Sequence, residues 1–215
     1  MGFARTQGLR QHEPAESSSQ VRPPGIPVRN RFDQPAASHG GPRNLTSLRV
    51  FASVYDRRKG FLIAGGAVFP CALGRSGIGT VKREGDGRTP RTNLPLRGVF
   101  YRADRLSRPR TLLPLKRIGP RDAWCDDQND RRYNRLIDRP PGEAEERLQR
   151  EDHLYDVIVE LGWNDRPVQR GRGSAIFWHL ARAGFTPTAG CVAVEGHVFA
   201  KVLPRLARRC RIVVK

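Results

Sequence analysis

Phe61-Leu62-Ile63-Ala64-Gly65-Gly66-Ala67-Val68-Phe69 is the stretch whose reading decides the fold. Two apolar runs too short for helices flank a Gly-Gly pair, and glycine is the residue that takes positive φ at both centres of a two-residue hairpin turn without strain. The stretch therefore predicts paired strands. Upstream, Leu48, Val50, Ala52 and Val54 alternate with Arg49, Phe51, Ser53 and Tyr55, and Asp56-Arg57-Arg58-Lys59-Gly60 supplies the next turn. Downstream, Val157-Ile158-Val159-Glu160-Leu161 and Ser174 to Leu180 read as further strands. In the second, Ile176, Trp178 and Leu180 share one face, while Ala175, Phe177 and His179 share the other.

The remainder is less periodic. From Arg75 to Arg121 thirteen Lys and Arg stand against three acids, with many Gly and Pro, so loops with short strands are expected, one around Val99-Phe100-Tyr101. After the Pro140-Pro141-Gly142 break, Glu143 to Glu151 has helical composition. Val198, Phe199, Val202, Leu203 and Leu206 recur at helical spacing up to and past Pro204, and Arg211-Ile212-Val213-Val214-Lys215 reads as a closing strand. Many short strands with one or two helices indicate a mainly β sandwich or barrel rather than a βαβ fold.

The chain of 215 residues divides by composition. Residues 1–43 are rich in Arg, Pro, Ser, Gly and Gln and are expected to form a disordered arm, because they cannot bury enough apolar area to offset ordering. Residues 44–215 are expected to form one domain. No apolar run approaches the ~18 residues of a membrane span, and Met1-Gly2-Phe3-Ala4-Arg5-Thr6 is not followed by the apolar core of a secretory signal. A net charge of +18 suits an anionic partner. The positive charge is nearly all arginine, however, and a basic stripe alone does not specify nucleic acid, which is not the expected main partner.

Cys71, Cys125, Cys191 and Cys210 show no C-x-x-C spacing, so neither a zinc site, a redox pair nor a disulfide framework is expected. Asp86 between Gly85 and Gly87 reads as a turn rather than a calcium loop. His153 and His197 belong to no ligand cluster, so no metal and no cofactor are expected.

One pair carries chemistry. Cys191 follows Gly190 directly, and His179 precedes it by twelve residues on a strand. Acyl transfer by cysteine needs a nucleophilic sulfur, a base and donors for the oxyanion. Gly190 lets the backbone turn so that the N–H groups of Gly190 and Cys191 point at an acyl oxygen, and His179 is the candidate base. The carbonyl or hydroxyl of Thr188 is the closest acceptor in sequence for the other ring nitrogen. An imidazole beside the thiol is expected to lower its pKa, so that Cys191 alkylates selectively in mild acid. Spacing alone leaves the bland reading open, in which Cys191 is a small buried hydrophobe and His179 a hydrogen-bonded strand residue.

Gly173-Ser174-Ala175-Ile176-Phe177-Trp178-His179-Leu180-Ala181-Arg182, followed by Pro187-Thr188-Ala189-Gly190-Cys191-Val192-Ala193, resembles the catalytic region of YkuD-type L,D-transpeptidases, in the branch with a short loop between His and Cys. Phe69-Pro70-Cys71-Ala72-Leu73-Gly74, Lys82 to Pro90, Trp124-Cys125-Asp126-Asp127 and Tyr133-Asn134 match in the same order, so the resemblance spans about residues 45–215. It implies a β-sandwich-like or barrel catalytic domain that cleaves a peptidoglycan stem peptide between an L-centre and a D-residue. The acyl group is held as a thioester on cysteine and passed to an amine or to water. Carried over by position, Cys191 is the nucleophile, His179 the base, Thr188 the residue whose carbonyl orients the imidazole, and Gly190 part of the oxyanion hole. The family's commoner Ser/Thr-His-Gly-Cys is here Thr188-Ala189-Gly190-Cys191, and its frequent arginine two residues after cysteine is Ala193, a role open to Arg182 or a loop arginine. Cell-wall remodelling in the periplasm or envelope is the implied setting. A non-catalytic basic module binding cell wall or nucleic acid on the same scaffold is the alternative.

Overall fold

A computed structural model describes residues 44–139 and 145–215. The expected arm, 1–43, lies outside the described residues, as do Glu143 and Ala144 of the expected central helix. The strands are β1 (Leu45–Ala52), β2 (Lys59–Ala64), β3 (Ala67–Ala72), β4 (Ile78–Gly79), β5 (Thr89–Pro90), β6 (Asn93–Tyr101) and β7 (Leu115–Arg117), then β8 (Asp122–Cys125), β9 (Arg135–Asp138), β10 (Glu145–Arg147), β11 (Val157–Leu161), β12 (Phe177–Leu180), β13 (Val192–Val194) and β14 (Leu206–Val214). One α-helix, α1 (Gly196–Val202), runs into a 3-10 turn, Leu203–Arg205.

Eight strands close a barrel in the order β11-β12-β13-β3-β2-β1-β14-β6, with β6 pairing back to β11. The barrel is mixed: β1/β14 and β12/β13 are parallel and the other pairs antiparallel. Beyond the closure, β7 adds to β6 in parallel. The mainly β class is thus a barrel rather than a sandwich. Among the described residues no helix is long and apolar enough to cross a membrane.

The β2–β3 hairpin turns at Gly65 (φ 57°) and Gly66 (φ 89°), the conformation that the Gly-Gly pair predicts. Inside the barrel, Leu48, Val50, Leu62, Leu94, Val159, Trp178, Val192 and Ile212 form the main core. Helix α1 adds Val198, Phe199 and Val202, and the Phe199 ring stacks on Trp178 with centroids 4.4 Å apart. Burying side chains of this size contributes about 1.5–3 kcal/mol each.

A second core lies outside the barrel wall. Strand alternation sends Phe100, Ile158 and Phe177 outward, where they pack with Trp124, Leu148 and Tyr155 beneath the three-stranded sheet β10-β8-β9. Both faces of β12 are consequently buried, which is why Phe177 and Trp178 are equally inaccessible. Cys191 belongs to this outer core.

Three local expectations are corrected. The basic stretch contains β6, a nine-residue strand at the barrel seam, because Leu94, Leu96 and Val99 face the core between polar or small neighbours. The helix expected over Glu143–Glu151 is strand β10 at Glu145–Arg147, where Glu146 pairs with Trp124 on β8. A few residues cannot offset helix nucleation alone, whereas a sheet edge and a fully buried Leu148 reward extension. Finally, helix α1 stops at Val202 before Pro204, and Leu206 opens β14, so the closing strand starts five residues earlier than the expected Arg211–Lys215 and ends at Val214.

Candidate active site

The parallel pair β12/β13 sets His179 opposite Ala193 and Trp178 opposite Val192. Trp178 and Val192 enter the barrel, while His179, Cys191 and Ala193 line one cavity of about 330 Å³ on the outside. His179 therefore lies opposite the most apolar face, as its alternation with Trp178 indicates. It is nonetheless 6% exposed, because Tyr155 covers it edge-on with ring centroids 5.3 Å apart.

Imidazole Nδ1 donates to the Leu180 carbonyl at 2.8 Å. A carbonyl can only accept, so Nδ1 carries the proton and Nε2 keeps its lone pair, with no protein partner among the described residues. The expected orienting role of Thr188 is not what the geometry gives. Its backbone is taken by the segment after β3: Thr188 N donates to the Leu73 carbonyl at 2.9 Å, and its carbonyl accepts from Arg75 N at 2.8 Å. The hydroxyl braces the turn instead, donating to the Cys191 carbonyl at 2.8 Å and accepting from Gly190 N at 3.1 Å.

Gly190 has φ 142°, a conformation L side chains rarely adopt, and a Cβ there would lie 2.8 Å from the Arg88 carbonyl. Glycine is thus required twice over. With the Gly190 N–H held by Thr188, the Cys191 N–H is the oxyanion donor left unbonded among the described residues.

The thiol of Cys191 donates to the Ala175 carbonyl at 3.3 Å and accepts from Phe177 N at 3.4 Å. Ala175 has φ 50° and is pinned through its N–H to the Asn134 side-chain carbonyl at 3.2 Å. That oxygen also accepts from Trp124 Nε1 at 2.9 Å, and the Asn134 amide donates to the Trp163 and Asn164 carbonyls. The Trp124 and Asn134 side chains, 41 or more residues before Ala175 in sequence, thereby hold the carbonyl that the sulfur contacts. Glu84 joins the same wall, accepting from the Tyr133 and Ser174 hydroxyls. Asp86 closes its turn as expected, accepting from Arg83 N, Arg88 N and Lys82 Nζ.

Burial sets the charge state. It pushes the Cys191 thiol up to about 12 and the His179 imidazole down to about 4. The resting pair is a neutral thiol and a neutral base, which corrects the expectation of a thiolate active in mild acid. Desolvation outweighs any help from His179, since no hydrogen bond joins the two side chains in this state. The other described cysteines, Cys71, Cys125 and Cys210, are also buried, and burial raises them as well.

Stability follows from these shifts. With its folded pKa lowered from 6.5 to about 4, His179 contributes stability above pH 6.5 that is lost as pH falls towards 4. The loss amounts to about 3 kcal/mol. Asp126, raised from 3.8 to about 6, works in the opposite sense, its contribution being present below pH 3.8 and lost as pH rises through 6. The His179 share is therefore read as a difference: between pH 7 and 5, urea unfolding of the protein should lose stability relative to a His179→Gln variant. Parallel slopes for the two proteins would contradict it.

Sequence reasoning missed Tyr155, Asn134 as an anchor, and the carboxylates Glu84 and Asp126 that line the cavity with Arg150 and Arg182. Asn134 at φ 56° carried no local signal beyond its residue type.

Comparison with known proteins adds one match. The YkuD model, an L,D-transpeptidase catalytic domain, matches residues 48–214. No curated protein and no solved structure gives a significant match.

Proposed function

Since the chain belongs to the YkuD family of L,D-transpeptidase catalytic domains, we propose that it is a cysteine L,D-transpeptidase acting on peptidoglycan stem peptides in the cell envelope. The observation that carries this reading is the shared cavity: Cys191 and His179 both line it, and among the described residues neither His179 Nε2 nor the Cys191 N–H has a protein partner.

The chemistry begins from the neutral pair. As the donor carbonyl enters, the Cys191 thiol leaves its hydrogen bond to the Ala175 carbonyl and gives its proton to Nε2 of His179, while sulfur forms a bond to the carbonyl carbon. The oxygen takes the charge against the Cys191 N–H, an interaction of the kind worth about 3 kcal/mol. Collapse breaks the C–N bond to the D-residue, whose amine leaves with the proton from His179, and a thioester remains. An amine or water then attacks the thioester in the reverse sense, with His179 as base. Shielding from water raises the cost of every charge at rest and strengthens each interaction once the transition state forms.

Arg150 and Arg182 line the cavity, both joined to Asp152, and Arg150 also covers the Tyr155 ring at 5.1 Å. With Ala193 in place of the family's frequent arginine, these guanidinium groups are suited to the donor carboxylate that the arginine would meet.

Incubation with a disaccharide tetrapeptide, followed by mass analysis of products, tests the reading. Loss of the terminal D-residue with either a crosslink or a hydrolysed tripeptide is expected. A donor left intact, with or without added amine, would overturn it.

A further inference from the structure

The chain carries 39 Lys and Arg against 21 Asp and Glu, and most of the described carboxylates hold a cation. Those of Asp56, Asp86, Asp104, Asp122, Asp152 and Asp165 are examples. Glu84 and Asp126 hold none, and both line the cavity of Cys191. Glu84 is fixed by neutral donors, the Tyr133 and Ser174 hydroxyls and the Gly85 N–H. Asp126 is less satisfied still: its Oδ1 is sealed from water and has no hydrogen-bond partner among the described residues.

An unpaired buried carboxyl oxygen is costly, and in so arginine-rich a chain a partner would be easy to supply. Lys82, in the same wall, is turned instead to Asp86 at 2.7 Å and to the Arg83 carbonyl at 2.9 Å. Burial together with the charges of Glu146 and Glu84 holds the Asp126 carboxyl up at about 6, so it can take up a proton near neutrality. Among the described residues no three His, Cys, Asp or Glu side chains converge as a metal site.

We infer that Glu84 and Asp126 form an acceptor subsite that takes a primary ammonium and presents its nitrogen to the Cys191 thioester. This rests on the acyl-transfer reading above and names the acceptor as an amine in preference to water. The ammonium gives one proton to Asp126, which passes it to solvent. The free amine attacks the thioester carbon, a C–N bond forms, the C–S bond breaks, and the amine's second proton returns through His179 to the departing sulfur. Asp126 is then a catalytic residue of the second half-reaction, and Glu84 orients the ammonium.

The test measures how the acyl-enzyme divides between an alkylamine, hydroxylamine and water, using the full chain. At neutral pH an alkylamine arrives protonated, whereas hydroxylamine arrives uncharged and needs no ammonium site. Asp126→Asn should lose transfer to the alkylamine by about tenfold to a hundredfold relative to transfer to hydroxylamine, the value of a charge-assisted hydrogen bond. Equal division in both proteins, an equal loss to both acceptors, or a defect confined to acylation by the donor would each overturn the inference. Should Asp126→Asn not fold, the wild-type protein answers. A trimethylammonium analogue of the amine should compete with amine transfer and leave hydroxylamine transfer unchanged, and failure to compete would overturn the subsite. If the wild-type protein forms no acyl-enzyme with any donor, it is the transpeptidase reading that fails, whatever Asp126 does.

Discussion

Replacing Cys191 by alanine is expected to give a folded protein that releases no D-residue from a tetrapeptide donor, with a loss of about four orders of magnitude or more. Removing a nucleophile removes the reaction path itself, not one contact along it. The fold should survive, since Cys191 contributes one sulfur to the outer core while Phe177, Trp124, Ile158 and Tyr155 keep their packing. Cys71→Ala and Cys210→Ala provide the comparison. Both residues belong to the barrel core and neither lines the cavity, so those variants should retain turnover. The measurement is D-amino-acid release, with a thermal melt for each protein. Turnover retained by Cys191→Ala would remove the thiol from the mechanism.

The second large effect concerns pH. Because burial holds the Cys191 thiol near 12 and the His179 imidazole near 4, a resting thiolate–imidazolium pair is disfavoured on the order of 10 kcal/mol before the mutual attraction of the charges is counted. Two outcomes follow. Alkylation of Cys191 by iodoacetamide should be slow at pH 7 and rise about tenfold per pH unit, close to a thousandfold by pH 10, since only the thiolate reacts. It should show no plateau in mild acid. Turnover should behave differently, because the base is competent wherever His179 is neutral: the acid limb of kcat/KM belongs near pH 4, below the ordinary histidine range. An alkylation plateau near pH 6 would mean that the thiol rests as an ion pair with His179 and that desolvation does not control the site.

Local signals made much of the barrel legible. Two glycines sufficed for the β2–β3 turn, and four β-branched or aliphatic residues around Glu160 sufficed for β11, because hairpins and short buried strands are written in contiguous residues. Strand β6 was hidden by its own composition: Pro95 and Arg97 interrupt the apolar run in sequence, yet both alternate onto the half-buried face opposite Leu94 and Leu96. Barrel closure was also out of reach, since the β6–β11 pairing joins segments about sixty residues apart and is fixed by register rather than composition. The site divides in the same way. His179 and Cys191 were visible as a pair of residue types at a telling spacing, and the alternation of β12 put His179 on the correct face. Their charge state was not visible, because it depends on Tyr155 and the outer core covering them. Thr188 was given the wrong acceptor role for a related reason: proximity in sequence suggested the imidazole, but a parallel bridge to Gly74 had already claimed its backbone.

The central claim is that acyl transfer passes through a thioester on Cys191. Its most direct measurement is the mass of the protein quenched in acid during turnover of a tetrapeptide donor, followed by mapping of the adduct. The expected result is one added acyl group, the donor less its terminal D-residue, on the peptide containing Cys191, and none on Cys71, Cys125 or Cys210. Turnover with no adduct on Cys191, or an adduct on another residue, would contradict it.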